Sequence, residues 1–168
     1  MSERTGETAE PGGPGATSVT ELRVRYAETD AMGVVYYANY LTWFEVGRTD
    51  WIRAHGVTYR EMEEHGILLP VVEARCSYRA SARYDDPVRV ATTATALTPA
   101  RISFAYRVTR PEPDGGETLL AEGGTDHVFI TREGKIARLN RHPQLWARLA
   151  TAFGAAGAGH RGSAGRGA

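Results

Sequence analysis

One segment of helical period stands among segments that alternate at the period of a strand, and this imbalance constrains the fold more than any other feature. Across Asn39–Ala54 the residues Tyr40, Trp43, Phe44, Gly47 and Trp51 share one stripe, while Thr42, Glu45, Arg48 and Asp50 fall elsewhere. Before it, Leu22, Val24 and Tyr26 alternate with Glu21, Arg23 and Arg25. After it, Val72, Ala74, Cys76 and Tyr78 alternate with Glu73, Arg75, Ser77 and Arg79, and Ile102, Phe104, Tyr106 and Val108 repeat the pattern. Residues 88–97 are rich in Thr, Val and Ala, and 119–131 read as the last strand, where Gly123-Gly124 marks either a bulge or a close backbone contact. Pro87, Pro99-Ala100 and the stretch 111–116 separate the strands as turns, and short helical pieces are expected at Tyr59–Glu64 and 143–152. One long helix against a large antiparallel sheet is an α+β layer arrangement. Gly47 inside that helix costs about 1 kcal/mol of propensity relative to Ala, so a close approach to another backbone is expected there.

At 168 residues the chain has room for a single core. The ordered domain is expected over 19–153, between a polar Gly- and Pro-containing tail at 1–18 and a Gly/Ala-rich tail at 154–168, both read as disordered. Twenty basic side chains offset twenty acidic ones. No overall field therefore draws the protein to nucleic acid or to an anionic membrane, and an anionic ligand must be held by a local cluster. Cys76 is the single cysteine, no Cys/His group has zinc-site spacing, and no cofactor is expected. The first residues lack the apolar run of a signal peptide, and no stretch approaches the roughly 18 apolar residues of a membrane span. A reducing cytoplasm is the expected location.

The chemistry is expected in 26–40, YAETDAMGVVYYANY, between the first strand and the long helix. A carboxylate in a loop just before a helix start lies near free backbone N–H groups, which can polarise a carbonyl. Asp30 in this place has a plain structural role as well, since Thr-Asp before a helix commonly caps it or closes a turn. Glu45 is the competing carboxylate, with an i,i+3 ion pair to Arg48 as its ordinary role.

Asp30, Gly33, Val34, Val35, Tyr36, Asn39 and Tyr40 stand at the places of a pattern that resembles the 4-hydroxybenzoyl-CoA thioesterase family, its acyl-CoA thioesterase branch in particular. The likeness continues through 41–53 and more loosely to Arg138. It implies a hotdog fold, an antiparallel sheet wrapped around one long central helix, and a homo-oligomer (dimer or tetramer) whose subunits pair to complete the sites. It also implies hydrolysis of an acyl-CoA to the free acid and CoA, with Asp30 as nucleophile or general base and the backbone N–H of Tyr37 on the thioester carbonyl. Gly33, Tyr36 and Asn39 are the expected substrate-binding residues of the loop. Arg101, Lys135 and Arg138, with Arg132 beside them, are the expected cations for the CoA phosphates. Tyr37 replaces a histidine common in the branch, which removes one proton shuttle but keeps the N–H. A hotdog hydratase needs a His at position 35, which is Val. A polyketide-type thioesterase acting on an acyl-carrier-protein thioester, and a non-catalytic acyl-CoA-binding module, are the alternatives.

Overall fold

A computed structural model describes residues 15–154. Five strands, β1 (Thr17–Arg23), β2 (Val71–Tyr78), β3 (Pro87–Leu97), β4 (Arg101–Pro111) and β5 (Glu117–Val128), form one antiparallel sheet in the order β1-β3-β4-β5-β2. The long helix α1 (Asn39–Ala54) lies across its inner face, with α2 (Tyr59–Glu64) and α3 (Pro143–Thr151) beside it. Both α1 and α2 span the residues expected of them. Thr58 starts α2 by accepting the Glu61 N–H at 3.1 Å, and Pro143 at the first position of α3 lacks only an N–H the helix could not have used.

Burial follows the stripe on α1. Tyr40, Trp43, Phe44, Gly47 and Trp51 all face the sheet, meeting Val88, Val90, Phe104, Tyr106 and Val108 from β3 and β4. Phe44 stacks flat on Tyr106 at 4.3 Å, and Trp51 meets Phe104 edge-on at 5.4 Å. Gly47 makes the expected close approach, but to side chains rather than backbone: a Cβ there would collide with Thr92 Oγ1 and reach Val90 Cγ1 at 2.9 Å. Gly123-Gly124 is a close contact and not a bulge. A Cβ on Gly123 would collide with the Arg75 carbonyl of β2, and one on Gly124 would lie 2.8 Å from the Phe104 carbonyl, while the register shifts of the sheet fall elsewhere.

Four expectations need correction. Thr17 and Ser18 belong to β1 rather than to a tail, and the chain before them is bonded too: Gly15 N–H to Ala94 O at 2.7 Å and Ala16 N–H to Ala152 O at 2.8 Å. The rest of the expected tails, 1–14 and 155–168, lies outside the described residues. Tyr26 is 78% exposed, because β1 ends at Arg23 and the chain enters a single 3₁₀ turn over Tyr26–Glu28, whose buried member is Glu28. The apolar alternation of β2 does not bury a face: Val72 is 49% and Tyr78 46% exposed, and only Cys76 is half-buried, because β2 is the sheet edge and little among the described residues covers it. Finally, Arg48 does not pair with Glu45; its Nε donates to the Tyr59 hydroxyl at 3.3 Å, and Glu45 is exposed without an ion pair among the described residues.

Candidate active site

The loop ahead of α1 is closed by its own backbone. Asp30 N–H donates to Val34 O and Gly33 N–H to Asp30 O, both at 2.9 Å, and Thr29 bridges Val35. Gly33 has φ +74°, the left-handed backbone that a residue with a Cβ resists, which accounts for glycine here. The loop is then anchored at three points. Val35 N–H donates to Ala82 O at 2.8 Å, Tyr36 N–H to Glu28 O at 2.9 Å, and the Tyr40 hydroxyl accepts the Ala82 N–H at 3.2 Å.

Glu28 is the hub that the sequence did not reveal. Its buried carboxylate accepts the Trp43 indole N–H at 2.7 Å through Oε2 and the Arg25 backbone N–H at 2.9 Å through Oε1, with the Arg25 guanidinium 3.4 Å away. Its backbone carbonyl also accepts the Asn39 side-chain amide at 2.8 Å. A buried carboxylate is tolerated only with such partners. Nothing in the residue type or its spacing distinguished it from the surface glutamates.

Asp30 fills its plain structural role and more. Oδ1 accepts the Met32 N–H at 2.9 Å, closing an Asx turn. Oδ2 has no hydrogen-bond partner among the described residues. The side chain lines an open cleft of ≈ 320 Å³ together with Met32, Val35, Tyr37, Tyr40 and Tyr78. At the far wall α1 begins with Ala38 as its N-cap, and alanine has no side-chain oxygen to cap with. The next three N–H groups turn inward, Asn39 to Tyr36 O, Tyr40 to Tyr37 O and Leu41 to Ala38 O, whereas the N–H groups of Tyr37 and Ala38 have no acceptor among the described residues. Asp30 and Tyr37, whose N–H is one of the two free donors at the helix start, therefore border one apolar, tyrosine-rich cleft.

The other expected site residues divide. Tyr36 lies against Tyr37 with the rings tilted at 52° and 4.7 Å apart, and its phenol pKa is raised by Tyr37 first, with the Asp30 charge adding. Asn39 is used structurally, by its bond to Glu28 O. Arg101, Lys135 and Arg138 do not line the Asp30 cleft. Arg101 opens β4 on the outer sheet face, where its charge and that of Arg75 help hold Asp126 below the usual carboxylate range, behind the Ser103 hydroxyl. Lys135 is exposed on the turn after β5, and Arg138 lines a separate shallow recess with Arg141 and His142. Sequence reasoning missed Tyr78 and Arg79 in the cleft wall; both were read only as phases of a strand. Among the described residues no group of His, Cys, Asp and Glu is placed to hold a metal ion, and no helix is long and apolar enough to cross a membrane.

A family model described as the thioesterase-like superfamily matches residues 24–150. The putative acyl-CoA thioesterase YneP of Bacillus subtilis is 39% identical over 116 residues, covering 69% of this chain and 81% of that protein. The acyl-CoA thioesterase YbgC of Haemophilus influenzae is 37% identical over 116 residues, covering 68% of this chain and 81% of its own length. Among solved structures, a DHNA-CoA thioesterase from Staphylococcus aureus superposes with a TM-score of 0.76 at 34% identity, covering 86% of this chain and 95% of the other.

Proposed function

The chain belongs to the thioesterase-like superfamily, and from that premise we propose that it is an acyl-CoA thioesterase of the hotdog fold that uses Asp30 and the start of α1. It is an enzyme of thioester hydrolysis, as its relatives' names support. The observation that carries the site is the cleft that Asp30 shares with Tyr37, whose N–H has no acceptor among the described residues.

The thioester carbonyl oxygen accepts the Tyr37 N–H, where the positive end of the α1 dipole stabilises the charge that develops on it. Asp30 Oδ2 then either attacks the carbonyl carbon or takes a proton from a water that does. When water attacks, its oxygen bonds to the carbonyl carbon, the C–S bond breaks and the CoA thiolate takes up the proton that Asp30 removed; when Asp30 attacks, loss of the thiolate leaves a mixed anhydride that a water then cleaves, freeing the acid, restoring the carboxylate and supplying the proton for the thiolate. The acyl group lies against Met32, Val35 and the tyrosines. Arg101, Lys135 and Arg138 meet the nucleotide phosphates, and because they stand away from the cleft this requires the extended pantetheine arm to run between the two places.

The working unit is a homo-oligomer. The edge strand β2 leaves its ladder groups and Val71, Val72 and Tyr78 uncovered, and a second copy of the chain would cover them. Light scattering should report a dimer or larger assembly; an active monomer would refute this.

Thiol release measured over a panel of acyl-CoAs tests the function. Turnover of acyl-CoA is expected, and it should be lost in Asp30→Asn. Release only from acyl-carrier-protein thioesters would favour the polyketide-type activity, and acyl-CoA binding without release from either carrier would make the protein a binding module.

A further inference from the structure

The first turn of α1 has an unusual support. Ala38 supplies no capping oxygen, so the peptide groups that flank the free N–H donors must be held from outside the helix. On the upstream side Glu28 O does this, holding the Tyr36 N–H at 2.9 Å, while the Asn39 N–H of the helix itself holds the Tyr36 carbonyl at 2.9 Å. On the downstream side the helix's own contribution is weak, because the Tyr40 N–H reaches the Tyr37 carbonyl only at 3.3 Å. The better donor to that carbonyl comes from β2: the Tyr78 phenol at 2.9 Å.

We propose that Tyr78 is a positioning residue for thioester hydrolysis, its O–H holding the Tyr37 carbonyl so that the Tyr37 N–H stays aimed at the substrate oxygen. The inference rests on the reading of the Asp30 cleft as the thioesterase site. Tyr78 is well placed for the task. Its ring is fixed by edge-on contacts to Tyr37 at 6.3 Å and to Tyr40 at 5.2 Å, and it lines the same cleft as Asp30. Burial, with Cys76 adding to it, pushes the phenol up to about 12, so the O–H remains a donor at every pH at which the enzyme would work. The peptide whose carbonyl Tyr78 holds carries the Ala38 N–H, so the bond acts on the Tyr37 N–H, one peptide earlier, by fixing the backbone of Tyr37 and not by polarising that donor. The bond crosses from the sheet edge to the helix start, so β2 contributes to the site as well as to the sheet.

Tyr78→Phe tests this, because it keeps the ring and both edge-on contacts and removes only the O–H. Removing an oxyanion donor outright costs ~10²–10³ in kcat, and loosening the aim of one that remains should cost less, about tenfold. That loss should appear in kcat with KM unchanged, the pH profile should keep its shape, and the thermal midpoint and oligomeric state should match the wild type, since the packed ring is kept. In an Asp30→Asn background, which binds without turning over, the affinity for acyl-CoA should be the same with Tyr78 and with Phe. An unchanged kcat overturns the proposal. So does a loss confined to KM, which would make Tyr78 a substrate contact, and so does a fall in midpoint that accounts for the lost activity. Asp30→Asn alone separates the two levels. If it retains full turnover the cleft is not the site and both readings fail; if it loses turnover while Tyr78→Phe does not, only the Tyr78 proposal fails.

Discussion

Asp30 commits one carboxylate oxygen to the Met32 N–H of its own turn and leaves the other without a partner among the described residues. Asparagine keeps the turn, because its side-chain carbonyl accepts the same N–H, but it is neither a base nor a nucleophile. Asp30→Asn should therefore lower kcat by roughly 10² to 10⁴ while leaving the melting transition and acyl-CoA binding nearly unchanged. Tyr37→Phe retains the backbone N–H and should lose less than about tenfold, below the ~10² to 10³ of a deleted oxyanion donor. Glu45→Gln should leave turnover intact, since Glu45 is exposed and without an ion pair among the described residues; abolished turnover in this variant beside an active Asp30→Asn would move the catalytic carboxylate onto the helix. At this scale the sequence singled out Gly33 only through its motif, as a substrate-binding residue, and the positive φ that accounts for glycine there is visible in the structure alone. It was silent on Glu28 and Tyr78, whose roles arise from partners distant in the chain, Trp43 at the next element and Tyr37 across the fold.

Among the elements, α1 was legible to its ends because its stripe is dictated by one sheet and its period is unambiguous. β2 was legible as a strand but not in its burial, since alternation marks an apolar face and carries no information on what packs against it. The seam between α1 and β3 gives the sharpest test at this scale. Gly47→Ala would raise helix propensity by about 1 kcal/mol, yet its methyl would be driven into Thr92 and Val90, two stiff β-branched side chains on an inner strand. Overpacking of this kind costs about 1–3 kcal/mol, so the balance is a net loss of about 1 kcal/mol. Urea unfolding should show a lower midpoint, recovered in part by Val90→Ala in the same chain. A midpoint at or above wild type would show that helix and sheet can separate at this seam without loss.

Across the whole molecule, the polar residues enclosed between helices and sheet give stability a predictable pH dependence. His127 on β5 is fully buried; its Nε2 lies 2.7 Å from Thr125 Oγ1, which also bonds the Tyr106 hydroxyl at 2.6 Å. Burial, with the nearby Arg48 charge adding to it, pushes the imidazole down to about 4. In the unfolded chain a histidine titrates near 6.5, so between about 6.5 and 4 the unfolded state binds one proton more than the folded state. Folding stability must then fall as pH falls through that window, by up to about 1.4 kcal/mol per pH unit and about 3 kcal/mol in all. The carboxylates whose pKa is lowered, Glu61, Glu112, Asp126 and Glu133, also cost stability in acid, but only as pH drops through their ordinary values near 4, below most of the histidine window. His127→Gln keeps an amide that can reach Thr125 and cannot take up a proton in this range. Denaturant titrations at several pH values between 5 and 7 should show the wild-type stability rising with pH and the variant nearly flat. Equal slopes in the two proteins would mean that His127 takes up its proton in the folded state as readily as in the unfolded one, and that the enclosed network opens far enough to hydrate it.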